Sequence, residues 1–213
     1  MHNKSEKEAC VPVPLKPGSF NQECNLPYGL EVEHIKTAMD EFLAFIGFLN
    51  QQLHTKQMPR LENFLMPANF SSIVGEFMNV SIPNHCKTLV KNQYHNGHPD
   101  LIPAGVFPEN SVQYSCKGVE IKGSHHGRGW QGHNPEAVWL MVFHFDSNTS
   151  NTSNAQKKNT APKLFEFKGV YAAQLEESDW NFSGRSATSR RTITASVNKN
   201  GVDKMKGNWL YKG

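Results

Sequence analysis

The chain has 213 residues, of which 38% are hydrophobic and 19% charged, and carries a net charge of +3. That length gives one large or two small domains and can build a core without disulfides or metals; the composition excludes extensive disorder, and no apolar run reaches the roughly 18 residues of a membrane span. The mild basic excess permits a nucleic-acid partner without requiring one.

The opening residues, Met-His-Asn-Lys-Ser-Glu-Lys-Glu, lack the apolar centre of a secretory signal. The cysteines, Cys10, Cys24, Cys86 and Cys116, form no Cys-x-x-Cys pair and read as reduced thiols of a cytoplasmic protein. Residues 1–30, with Pro12, Pro14, Pro17 and Pro27, are expected to form an irregular arm, and residues 31–213 a single domain. From Glu33 to Leu53, the apolar residues Ile35, Met39, Phe42, Ile46, Leu49 and Leu53 recur at steps of four and three, which predicts a helix. Phe45 and Phe48 widen the stripe, so burial on more than one side is expected; the spacing suits a core helix or one shared with a second subunit. A second helix is expected over Ser71 to Val80, capped by Asn69 or Ser71 and ended by Pro83, with Glu76 at the margin of its apolar side. Strands follow: Val119–Lys122, Val138–Phe145, Leu164–Leu175 and Arg191–Val197, with a polar loop from Asp146 to Thr160. Helices first and strands after, without regular alternation, predict an α+β fold, a mixed central sheet flanked by helices.

The chemistry is densest between His95 and His133. Alternation over Val119-Glu120-Ile121-Lys122 puts Val119 and Ile121 on one face and Glu120 and Lys122 on the other. If Asp100 starts a neighbouring strand, the Asp100 and Glu120 carboxylates and a backbone carbonyl can share a hard cation. Oxygen donors and retained waters suit Mg²⁺. Lys122 then stands beside the metal-bound water, placed to orient or deprotonate it and to counter charge on a pentavalent phosphate.

Pro99-Asp100 followed by Glu120-Ile121-Lys122 resembles the signature of the PD-(D/E)XK nucleases, and more narrowly a type II restriction endonuclease. The resemblance implies a restriction-endonuclease-like core. It implies Asp100, Glu120 and Lys122 as catalytic residues, and Asp100, Glu120, the Ile121 carbonyl and Glu76 around Mg²⁺. The implied activity is cleavage of double-stranded DNA at a specific site by a homodimer, without membrane association. Glu76 resembles the additional acid that many members carry on a helix before the aspartate. The Gly-rich loop after Lys122 offers Ser124, His125, Arg128, Trp130, Gln131, His133 and Asn134 to DNA; Arg suits guanine, Asn and Gln suit adenine. Trp130 reads better as a packing anchor than as a base-stacking residue. Arg185, Arg190, Arg191 and Thr192 could contact phosphates. Three other readings stay open: a junction-resolving or repair nuclease with the same core, a non-catalytic DNA-binding module, and a zinc site drawn from His85, Cys86, His95, His98 and Cys116.

Overall fold

The computed structural model describes residues 2–132, 134–149, 161–183 and 194–213. The architecture is α+β. Helices α1 (His2–Ala9), α2 (Val32–Thr55), α3 (Leu61–Phe64) and α4 (Pro67–His85) come first. Strands β1 (Leu89–Lys91), β2 (Leu101–Pro103), β3 (Val119–Ser124), β4 (Gln131–Gly132), β5 (Trp139–Asp146) and β6 (Glu166–Gln174) follow. The chain closes with β7 (Trp180–Ser183), β8 (Thr194–Val197), helix α5 (Lys199–Gly207) and β9 (Trp209–Lys212). None of the described helices is long and apolar enough to cross a membrane.

Six strands form a mixed sheet in the order β1-β2-β3-β5-β6-β9, in which β3 and β5 run parallel. A smaller sheet, β4-β8-β7, lies apart. Period-two alternation gives the large sheet two apolar faces. Ile121, Met141, Phe143, Phe145 and Val170 join α2 and α4 in the larger core. Leu140, Val142, Tyr171 and Ala173 meet Trp130, Trp180, Ala195, Val197 and Met205 in a second core. The sheet is therefore a middle layer between the two cores.

The stripe on α2 is the one the spacing predicts: Ile35, Met39, Phe42 and Ile46 are fully buried. Phe48, however, is 65% exposed and Phe45 37%, so the helix buries one side, not two. Helix α4 begins four residues earlier than expected. Pro67 occupies its first turn, where a missing N–H costs nothing because those amides lack intrahelical acceptors. Pro83 lies inside the helix, which closes one turn later with Cys86 N–H donating to Ile82 O. The N-terminal arm is more ordered than its prolines suggest. It carries α1, Val13 N–H donates to Phe165 O, and the Phe20 ring lies 4.8 Å from Tyr211. Arg60, almost fully buried, fastens it by donating to Ala9 O, Lys163 O and the Glu62 carboxylate.

Two glycines bring α4 against β3. A Cβ at Gly123 would collide with the Ser71 carbonyl oxygen and lie 2.8 Å from Val74 Cβ. Across the same contact, a Cβ at Gly75 would sit 3.5 Å from Gly123 N and 3.7 Å from Ile121 O, ordinary contact distances.

Candidate active site

The site begins with a fork in the sheet. Strand β2 pairs with β3 at Leu101 and Val119 alone, while β5 accompanies β3 from Val119 to Ser124. Past Val119 one edge of β3 is therefore open. Asp100, the residue before β2, fills the gap: its Oδ2 accepts from Ile121 N–H at 2.8 Å. In an extended strand the N–H and C=O of one residue point to the same edge, so the Ile121 carbonyl also faces the open side.

The loop before Asp100 is organised by Asn92, buried at 7% exposure. Its side chain donates to Pro99 O and Val112 O and accepts from Tyr94 N–H and Val112 N–H. Such a satisfied buried amide makes a rigid staple, and it sets the height at which His98-Pro99-Asp100 meets β3.

Glu120 and Lys122 share a face of β3, as alternation requires. Lys122 Nζ donates to Glu120 Oε1 at 3.0 Å, and His98 Nδ1 lies 3.0 Å from Glu120 Oε2. The Glu120 carboxylate also lies close enough to Asp100 to act on its titration. Burial first, and then the negative charge of Glu120, push the Asp100 carboxyl up to about 7, although the Ile121 N–H and Lys122 pull the other way. Burial would also raise Glu120; the His98 hydrogen bond and the Lys122 charge outweigh it and hold Glu120 well below the usual carboxylate range. Burial alone would lower Lys122, yet Glu120 and Asp100 raise it, so its amine stays an ammonium. Two crowded carboxylates are the arrangement that a cation relieves. Together with the Ile121 carbonyl they form an oxygen-only donor set, which fits Mg²⁺.

A cavity of about 740 Å³ opens on this cluster and is lined by Glu76, Asp100, Glu120, Ile121, Lys122, Ser124 and Gln131 among others. Glu76 is thus in the wall of the same cavity, exposed and paired with Lys91 at 2.8 Å.

The loop after Lys122 divides. Arg128, Gln131 and Asn134 are exposed, with Gln131 lining the large cavity and Asn134 a neighbouring cleft. Ser124 is spent on the turn, its hydroxyl accepting from His126 N–H and donating to His126 O. His125 departs from its expected role: its ring packs 4.3 Å from Phe145 and 6.3 Å from Phe70, and burial lowers its pKa to about 4. Trp130 is 3% exposed, donates Nε1–H to His126 O and lies against Tyr171. It packs as an anchor, not as a DNA contact. His133, Arg185, Arg190, Arg191 and Thr192 lie outside the described residues.

The proposed zinc set does not assemble. His85 pairs with Glu41, Cys86 is buried against Gly29 O, and Cys116 is exposed. Of that set His98 alone joins a metal-capable group among the described residues, with Glu120 and Glu136. His98 stood in the sequence directly before the Pro99-Asp100 pair. Glu136 had none; it reaches the site from the loop before β5, whose position depends on the tertiary fold. Comparison with protein-family models, curated proteins and solved structures finds no match for this chain.

Proposed function

We propose that the chain is a Mg²⁺-dependent endonuclease of double-stranded DNA with a restriction-endonuclease-like core, cutting at a specific site as a homodimer. The observation that carries this reading is the convergence of Asp100 and Glu120 at the β2–β3 fork, with the Lys122 ammonium 3.0 Å from Glu120. Asp100, Glu120 and the Ile121 carbonyl would hold Mg²⁺, which when bound supplies positive charge to a phosphate and lowers the pKa of an attacking water. Lys122 offers a fixed positive charge where a pentavalent phosphate gathers negative charge. Glu120, by accepting from Lys122 and His98, holds that ammonium on the cavity side of β3. Arg128, Gln131 and Asn134 are exposed beside the cavity and are the side chains available to read bases. Duplex DNA is two-fold symmetric, so two copies related by a dyad would cut both strands.

The test is digestion of plasmid DNA with Mg²⁺. Discrete fragments support restriction; nicking of branched DNA would indicate a repair or junction-resolving nuclease, and no cutting a binding module. In the cutting protein, Asp100→Asn and Lys122→Ala should abolish cleavage while circular dichroism and melting stay native-like. Full activity in Lys122→Ala would overturn the assignment.

A further inference from the structure

Glu120 has a second oxygen, and it leads to a different group of side chains. His98 Nδ1 lies 3.0 Å from Glu120 Oε2, and His98 Nε2 lies 3.7 Å from Glu136 Oε2. One donor atom from each of His98, Glu120 and Glu136 lies within 4.8 Å of the others. We propose that these three residues form a transition-metal site of their own, taking a borderline divalent ion such as Co²⁺, Ni²⁺ or Zn²⁺. The site shares Glu120 with the nuclease reading but its donor set stands without it.

Four observations support the site. First, the spacing is close to what a metal needs: bonds of about 2.0–2.2 Å put adjacent ligand atoms about 3–3.6 Å apart. The atoms here lie within 4.8 Å of one another, so an ion on Nε2 would draw them together and turn the Glu120 carboxylate from Nδ1 toward Glu136. Second, His98 Nε2 is buried with no hydrogen-bond partner. A buried polar nitrogen left so is costly, and a metal bond satisfies it. Third, the residues are held in place from behind. The His98 ring stacks on Tyr114 at 5.6 Å and 20°, its backbone N–H donates to Gln113 O, and its carbonyl accepts from Ser115 N–H. The Glu136 carbonyl accepts from Trp180 Nε1–H at 3.1 Å. Such outer support is what fixes ligand orientation in metal sites. Fourth, a cleft of about 690 Å³ lined by His98, Glu120, Glu136, Tyr114 and Asn134 gives an ion a way in.

The donor set also decides the class of ion. An imidazole suits Zn²⁺, Fe²⁺ and their neighbours, whereas Mg²⁺ and Ca²⁺ prefer oxygen alone. The two donor groups therefore differ in softness although they meet at one carboxylate. A borderline ion at His98 would draw on Glu120 Oε2, while Oε1 continues to face Lys122.

The experiment is a Co²⁺ titration of tag-free protein in excess Mg²⁺, followed by visible absorption. The expected result is one Co²⁺ per chain that excess Mg²⁺ does not remove, weakened at least about tenfold by His98→Gln. Glu136→Gln, nearly isosteric, should weaken Co²⁺ likewise and carries the test if His98→Gln does not fold. Co²⁺ affinity unchanged in both variants, or Co²⁺ displaced by Mg²⁺, would overturn the proposal. The two readings fail separately. Cleavage with no His98-dependent Co²⁺ site sinks this inference alone; His98-dependent Co²⁺ binding without cleavage sinks the nuclease reading alone.

Discussion

Gly123 and Gly75 face each other across the contact between α4 and β3, and alanine should have opposite effects at the two. At Gly123 the new methyl carbon would lie 2.8 Å from Val74 Cβ and 3.3 Å from the Ser71 carbonyl carbon, and would overlap the Ser71 carbonyl oxygen. Carbon pairs settle at about 3.5–4.0 Å, so α4 must retreat by roughly 1 Å. The Ser71 carbonyl belongs to the helix backbone and cannot swing aside as a side chain would. Overpacking of this kind costs about 1–3 kcal/mol, and a Tm loss of about 2–4 °C per kcal/mol is expected for a chain of this size. Gly75→Ala meets nothing closer than 3.5 Å. It gains the helix propensity of alanine, up to about 1 kcal/mol. The assay is urea unfolding of both variants beside the wild type, reading the midpoint at constant m. Gly123→Ala should also lose cleavage out of proportion to stability, because Ser71, Glu76 and Lys122 line one cavity and a 1 Å misplacement can cost about a hundredfold in rate. A Gly123→Ala protein as stable as the wild type, or a Gly75→Ala protein destabilised as much as Gly123→Ala, would refute the packing argument.

Two further predictions test the packing of His125 and Trp130. His125 is held neutral by burial with its pKa lowered to about 4, so the unfolded chain binds the extra proton between pH 6.5 and 4. Its stabilising contribution is complete above pH 6.5 and falls as the pH drops through that window. Halved for partial exposure, the loss is about 1 kcal/mol between pH 7 and 5. His125→Phe should flatten that part of the stability–pH curve, and an unchanged slope by urea unfolding would contradict the assignment. Trp130→Ala should cost about 3–5 kcal/mol, as expected for emptying a core aromatic site. Trp130→Phe should cost less and leave the ratio of cognate to random DNA binding unaltered; a changed ratio would return Trp130 to the DNA surface.

The shared face of Glu120 and Lys122 was legible because strand alternation is a local rule: once Val119 and Ile121 are buried, their neighbours must share the opposite face, whereas Asp100 was placed only on the condition that it start a neighbouring strand. The stripe on α2 was legible for the same reason. Local rules failed where a choice depended on neighbours far along the chain. Phe48 stands beside the stripe of α2, yet it stays 65% exposed among the described residues. Ser71 looked like a cap, but Pro67 can open the helix one turn earlier, and Ser71 is instead the residue whose carbonyl rests on Gly123. His125 read as a loop residue because the sequence does not reveal that Phe145 stands behind it, whereas Trp130 already read as a packing anchor. Glu136 arrives only through the loop that sets β5 parallel to β3. Short β9 and α5 carried too little periodicity to register, although Asn198, accepting from Gly201 N–H, marks the start of α5.

The fork between β2 and β3 has one more consequence. Beyond Val119, what joins the two strands is a side chain: Asp100 takes the place of the backbone carbonyl that a longer β2 would have offered to Ile121. Under the proposed nuclease reading, one carboxylate is both a seam in the fabric and a metal ligand at its surface. Such a residue cannot drift in evolution as either half of its work alone would allow, because a replacement must be of the right length to close the seam and of the right charge to serve the cavity. Asparagine meets the first demand and fails the second. Glutamate keeps the charge but carries an extra methylene into a gap already closed at 2.8 Å. Length and charge together thus favour aspartate at this position over both of its nearest relatives.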